Sequence, residues 1–134
     1  MGSLDPNAPV HQIEDLIQAV AAWAAKRGDI QAVALVGSWA RGTARPGSDV
    51  DIVILTTEPL RYIERQEWAM ALDVTLAREA ESWGAVTSRR GITAAARTIE
   101  FGITTPEWPG GDQVLREGAR IIYDPVGVLA KLMP

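Results

Sequence analysis

The chain has 134 residues, 13 Lys+Arg against 17 Asp+Glu, a net charge of −4 and no cysteine. At that length one domain is expected, spanning 1–134 with 1–9 as a flexible lead-in, and the 47% hydrophobic and 22% charged residues argue against a disordered chain. Without cysteine there is no disulfide framework, thiolate metal site or thiol nucleophile; the single His11 argues against a His-rich metal centre or a Ser-His-Asp triad, and the acidic balance against duplex binding.

Val10, Ile13, Leu16, Ile17, Val20 and Ala24 recur at three- and four-residue spacing, which predicts an amphipathic helix over 10–27 that stops at Gly28. Residues 31–36 read as a short strand ending at Gly37-Ser38, followed by a short helix over 38–42 and a loop over 43–48 carrying Pro46 and Gly47. The run V-D-I-V-I-L over 50–55 is the clearest strand and is too apolar to be exposed on both faces. Residues 58–72 have helical character, with Pro59 in the first turn, and 73–82 also read as helix. Two strands over 86–92 and 97–104, joined by 93–96, predict an antiparallel pair. A surface loop over 106–111, a last strand over 120–123 and a closing helical turn over 126–132 complete the chain. The order α-β-α-β-α-β-β-β-α is an α/β mixture with parallel and antiparallel strand neighbours. No run approaches the roughly 18 apolar residues of a membrane helix, and no secretory pattern opens the chain, so a soluble cytoplasmic protein is expected, with no membrane partner.

The chemistry concentrates in Gly37-Ser38, ten intervening residues, then Asp49-Val50-Asp51. A strand that ends in Gly-Ser and turns at once into a helix offers free backbone N–H groups to an anion, and Ser38 adds a hydroxyl donor. Asp49 and Asp51, two apart at the start of a strand, send both carboxylates to one face while Val50, Ile52 and Ile54 take the other. Their repulsion is relieved by a divalent cation, and hard oxygen donors suit Mg²⁺ or Mn²⁺ completed by water and phosphate oxygens. In the later strand, alternation puts Glu100 on a face with Thr98 and Gly102, away from Ile99, Phe101 and Ile103. If that strand neighbours the one bearing Asp49 and Asp51, three carboxylates converge beside a phosphate-binding turn. Such a site fits phosphoryl transfer in which an acceptor hydroxyl attacks an α-phosphorus and pyrophosphate leaves, with Glu100 assisting deprotonation or holding metal.

Arg41 and Ser48 join Gly37 and Ser38 in the candidate phosphate-binding set, although Arg41, like Arg45, is equally readable as a solvated residue. Arg89 and Arg90 are adjacent on a strand and must face opposite ways, so at most one faces the site; exposed-strand arginine is the plainer reading of either. Four of the five tryptophans, Trp23, Trp68, Trp83 and Trp108, read as core or edge packing, and Trp39, inside the motif, as core rather than as a flank for a base.

The Gly-Ser-x10-Asp-x-Asp block, the apolar strand after it and the later acid resemble the DNA polymerase β-like nucleotidyltransferase superfamily, and the size resembles its minimal nucleotidyltransferase domains. The resemblance is specific over 31–55 and looser through Trp83-Gly84, Arg89-Arg90, Glu100-Phe101-Gly102 and 118–129. It implies a nucleotidyltransferase fold with a mixed sheet of about five strands and helices mainly on one face. It also implies Mg²⁺-dependent transfer of a nucleoside monophosphate from a nucleoside triphosphate such as ATP. Carried over, Gly37 and Ser38 would hold the triphosphate, Asp49 and Asp51 the metal, and Glu100 would stand where Asp is commoner. Larger members carry a further domain, so acceptor recognition is expected from 56–96, a second copy in a homodimer, or another protein. The acceptor itself, small molecule or protein, is not specified.

A different class, an antitoxin or regulatory module acting on or with a helical HEPN-type partner, shares these motifs. Phosphatases and glycosyltransferases with Asp-x-Asp fit poorly, because their apolar strand precedes the acids rather than following them.

Overall fold

The computed structural model describes residues 8–133, so the expected lead-in lies outside the described residues except for Ala8 and Pro9. Those two open helix α1 (Ala8–Ala25), whose Ile13, Ile17, Val20, Trp23 and Ala24 fall on one buried stripe. Strand β1 (Ile30–Val36) runs directly into α2 (Gly37–Arg41), and β2 (Val50–Thr56) follows the intervening loop. The expected helix over 58–72 forms as two short pieces, α3 (Pro59–Ile63) and α4 (Glu67–Met70).

Residues 74–83 correct the sequence reading. Instead of a helix they form β3 (Val74–Trp83), the outer half of a hairpin with β4 (Val86–Thr93). Asp73, at φ 54°, and Gly84, at φ 63°, turn the chain into and out of this strand. Ala77, Glu79, Ala80 and Glu81 favour helix intrinsically, but pairing of Val74 to Leu76 and of Ala80 to Trp83 with β4, on either side of an irregularity, overrides that weak preference. Beyond Val74 and Leu76 the strand is exposed, so it carries no alternation to read.

The chain continues through β5 (Thr98–Thr104), α5 (Gly111–Arg116), β6 (Arg120–Tyr123) and α6 (Val128–Leu132). Helix α5 was not expected: Gly111 ends the anticipated loop but also starts a helix, packed so closely on Trp108 that a Cβ there would lie 2.3 Å from the ring. With β3 added, the sheet has six strands rather than about five, in the order β3-β4-β5-β2-β1-β6. The β2–β5 pair is parallel and the other neighbours are antiparallel. The sheet is therefore mixed, as expected.

Period-two alternation along β1 and β2 feeds two cores. On one face Val33, Leu35, Ile52 and Ile54 meet α1 and the ring cluster of Trp23, Tyr62, Trp68 and Phe101, whose centroids are 5.0–6.0 Å apart. On the other, Ala32, Ala34, Val36, Val53 and Leu55 lie under Trp108, Leu115 of α5 and Leu129 of α6. The longest helix and both pieces of the 58–72 segment cover the first face, and the second has two short helices. Among the described residues, no helix is long and apolar enough to cross a membrane.

Arg89 is buried within the first face at 1% exposure, and backbone carbonyls take the place of an acid as its partners. Its Nη1 donates to Tyr62 O (3.1 Å), Ile63 O (2.7 Å) and Arg65 O (3.1 Å), and its Nη2 donates to Ala77 O (3.1 Å). The guanidinium thus satisfies the end of α3 and ties it to the sheet edge, a requirement for any buried carbonyl. Arg89→Ala takes the donor from Ile63 O and Ala77 O, while Trp68 Nε1 still serves Tyr62 O (3.2 Å) and Arg65 O (2.9 Å). It should cost about 2–3 kcal/mol in urea unfolding, with Arg89→Lys recovering part of the loss.

Candidate active site

The site is assembled where β1, β2, β4 and β5 end side by side. Asp51, the second residue of β2, lies opposite Val36 on one side and opposite Glu100 of β5 on the other. The sequence condition for convergence is met: β5 is the direct parallel neighbour of β2, in the register that sets Asp51 against Glu100. Asp49 immediately precedes β2, and its neighbour Val50 is fully buried in the opposite core, as the alternation required.

Gly37 begins α2 at φ +74°, and a Cβ there would lie 2.3 Å from Asp51 Oδ2. Glycine is therefore demanded twice, by the left-handed backbone and by the carboxylate packed against it. Ser38 sits in the first turn of α2, and its carbonyl accepts from Gly42 N and Thr43 N. Arg41 closes α2 against Gly118, and its charge acts on Asp51. Ser48 closes the loop: its Oγ accepts from Arg45 N at 2.8 Å, and its own N–H donates to Arg45 O at 2.9 Å.

Two side chains beyond the sequence-predicted set hold this loop in place. Trp39 Nε1 donates to Ser48 O at 3.0 Å, and Arg97 Nη1 donates to Ser48 O at 3.1 Å and Pro46 O at 2.9 Å. The Arg97 guanidinium also lies 5.3 Å from the centroid of the Trp39 ring. Trp39 packs partly into the core, in line with its sequence reading, but its indole N–H serves the loop before Asp49. Arg97 gave no local signal, because its role depends on β5 lying beside β2.

Arg89 and Arg90 do face opposite ways. The exposed-strand reading fails for Arg89, which is buried, and Arg90 turns to the acids. Its Nη2 lies 3.7 Å from Asp49 Oδ2 and 3.6 Å from Glu100 Oε2. The other Glu100 oxygen accepts a hydrogen bond from Ser88 Oγ. Burial, then the Glu100 and Asp49 charges, pushes the Asp51 carboxyl up to about 6, while Arg90 and Arg41 pull it partly back. Asp51 thus carries negative charge that its protein surroundings leave undercompensated.

Among the described residues, no group of three or more His, Cys, Asp or Glu side chains is arranged to hold a metal ion by itself. The donor chemistry nevertheless fits a hard divalent cation, which commonly takes one or two protein carboxylates and completes its shell with water and phosphate oxygens.

Residues 16–89, more than half of the chain, match the family model of the nucleotidyltransferase domain, and the chain belongs to that family. It is a polymerase β-like nucleotidyltransferase domain by superfamily. No curated protein matches it in sequence. Among solved structures, it is similar in fold to the Cid1 poly(U) polymerase with a UTP analogue (TM-score 0.58) and with Mg and 3′-dATP (0.57). It is similar also to a cytoplasmic RNA terminal U-transferase (0.57). Each is 14% identical and matches 85% of this chain, while this chain spans 35–36% of theirs.

The Asp51 carboxyl, raised from its ordinary 3.8, keeps its proton in the folded chain where an unfolded chain has lost it. Its contribution to stability therefore falls as pH rises from about 4 to about 6. Asp51→Asn should raise stability at neutral pH by about 1 kcal/mol, allowing for solvent screening of a half-buried group, and should give no gain below about pH 4. Thermal unfolding across this range checks the sign. Gly37→Ala should displace the Asp51 carboxylate and cost about 1–3 kcal/mol in the same measurement.

Proposed function

We propose that the chain is a metal-dependent nucleotidyltransferase that moves a nucleoside monophosphate from a nucleoside triphosphate to an acceptor hydroxyl. The observation that supports this best is the row formed by Gly37, Asp51 and Glu100 across three neighbouring strand ends, with Asp49 beside it. Gly37, Ser38, Arg41 and Ser48 surround the triphosphate in this reading; the Ser48 contribution comes from the loop it closes, since its hydroxyl already accepts from Arg45.

Asp49 and Asp51 would hold Mg²⁺ or Mn²⁺, with Glu100 as third ligand or as base. Bound there, the metal would neutralise phosphate charge and polarise the α-phosphoryl group. The chain's own part is positional and electrostatic. Gly37 and Ser38 lie on the β1 side of the acids, and Glu100, Ser88 and Arg90 lie on the β5–β4 side, so the nucleotide and the acceptor approach from opposite sides. The acceptor oxygen forms its bond to the α-phosphorus, the α–β phosphoanhydride bond breaks, and pyrophosphate departs. Glu100, held by Ser88 through one oxygen, would take the acceptor proton where it serves as base.

Titration calorimetry with ATP, GTP, CTP and UTP, each with and without Mg²⁺, tests this directly. Metal-dependent binding should appear for at least one nucleotide and vanish in the Asp49→Asn/Asp51→Asn variant. Absence of binding by folded protein would overturn the reading of a free-standing enzyme. Binding without turnover on small hydroxyl compounds would direct the search to a protein acceptor, including a helical partner.

A further inference from the structure

We propose that Arg90 is the resident counter-ion of the acid cluster, and that a divalent cation enters by displacing its guanidinium from Asp49 and Glu100. The inference rests on the metal site proposed above and adds to it the group that competes for the site.

Register places Arg90 of β4 opposite Glu100 of β5, which is itself opposite Asp51 of β2. One cation and two anions therefore stand in a row across three strands, with Asp49 at the side. A single nitrogen, Nη2, reaches acids from two separate segments, at 3.7 Å and 3.6 Å. Those separations exceed hydrogen-bond range, so the contact is charge attraction without directional bonding. Arg90 is also 60% exposed in its side chain. It has open solvent to swing into, unlike neighbouring Arg89, which four carbonyls hold in place.

A guanidinium at this position repels an incoming divalent cation while partly satisfying the carboxylates that would bind it. At separations of roughly 6 Å and near-aqueous screening, the repulsion amounts to about a tenfold change in affinity. The arrangement also leaves each Glu100 oxygen facing a neighbour, Ser88 at one and Arg90 at the other, before any metal arrives. The acids thus take free metal weakly, and Arg90 sets how weakly.

Free Mn²⁺ measured by electron paramagnetic resonance, on the whole chain at low salt without nucleotide, tests the exchange. Arg90→Ala should bind Mn²⁺ about three- to tenfold more tightly than the unaltered chain, and the gap should narrow at high salt. Arg90→Lys keeps the charge and should stay within about twofold of the unaltered chain. Asp51→Asn should abolish binding in either background. Unchanged or weaker binding in Arg90→Ala, or equal tightening in Arg90→Lys, would overturn the exchange while leaving the metal site standing. Binding by Arg90→Ala alone would support it strongly. If neither chain binds Mn²⁺, or if binding survives Asp51→Asn, the metal site itself fails and this inference goes with it. Near-UV circular dichroism confirms that each variant is folded.

Discussion

The parallel pairing of β2 with β5 brings Asp51 opposite Glu100, and the rest of the site is arranged around that like-charge neighbour pair. Two carboxylates in cross-strand contact are unfavourable, and burial of Asp51 makes them more so. The surrounding residues soften the conflict in stages. Ser88 donates to one Glu100 oxygen, Arg90 attracts the other, and Asp51 is partly relieved by the Arg90 and Arg41 charges. On the far side of Asp51 the turn at Gly37 has no side chain, which lets the carboxylate lie against the backbone. A site built on an unresolved repulsion is suited to a cationic ligand, and a chain optimised for stability alone would have no reason to keep it.

Much of this was legible from the residues in order. The spacing from Gly37-Ser38 to Asp49 and Asp51, and the period-two geometry of strands β2 and β5, pointed to the candidate acids and the faces they occupy. Those strands are packed on both sides, so each position has a defined environment that leaves a mark on composition. Strand β3 is the opposite case: an exposed edge whose outward residues meet water, where helix-forming residues carry no penalty large enough to reveal the true pairing. The loop supports were hidden for another reason. Arg97 stacks on Trp39 and binds the carbonyls of Pro46 and Ser48 across about fifty residues, a relation that no window of sequence contains.

The adjacent arginines show how far local environment outweighs residue type. Arg89 is almost fully enclosed and donates to main-chain carbonyls through Nη1 and Nη2, so it belongs to the scaffold. Arg90, one position on, points to the opposite face and answers to carboxylates. The alternation of a strand was enough to predict that they part company; which of them met solvent followed from what covers each face. One face has α3 and α4 and a ring cluster to bury a guanidinium stem, whereas on the other only Val86 of β4 packs against the core under α5 and α6, and Arg90 stays exposed.

The crossover between β2 and β5 also has a bearing on how the chain reaches its native state. The β1–β2 pair, and the hairpin of β3 and β4 with its extension to β5, join segments close in sequence and can form early; the β2–β5 pair must wait for segments some fifty residues apart to meet. Closing that loop is entropically costly and slow compared with local pairing. The carboxylate row therefore comes into being only when β5 docks on β2, one of two long-range pairings in the sheet beside that of β1 with β6, so a chain short of that step carries Asp49 and Asp51 without Glu100. Acquisition of the site would then coincide with the meeting of the two halves of the sheet rather than with either half alone.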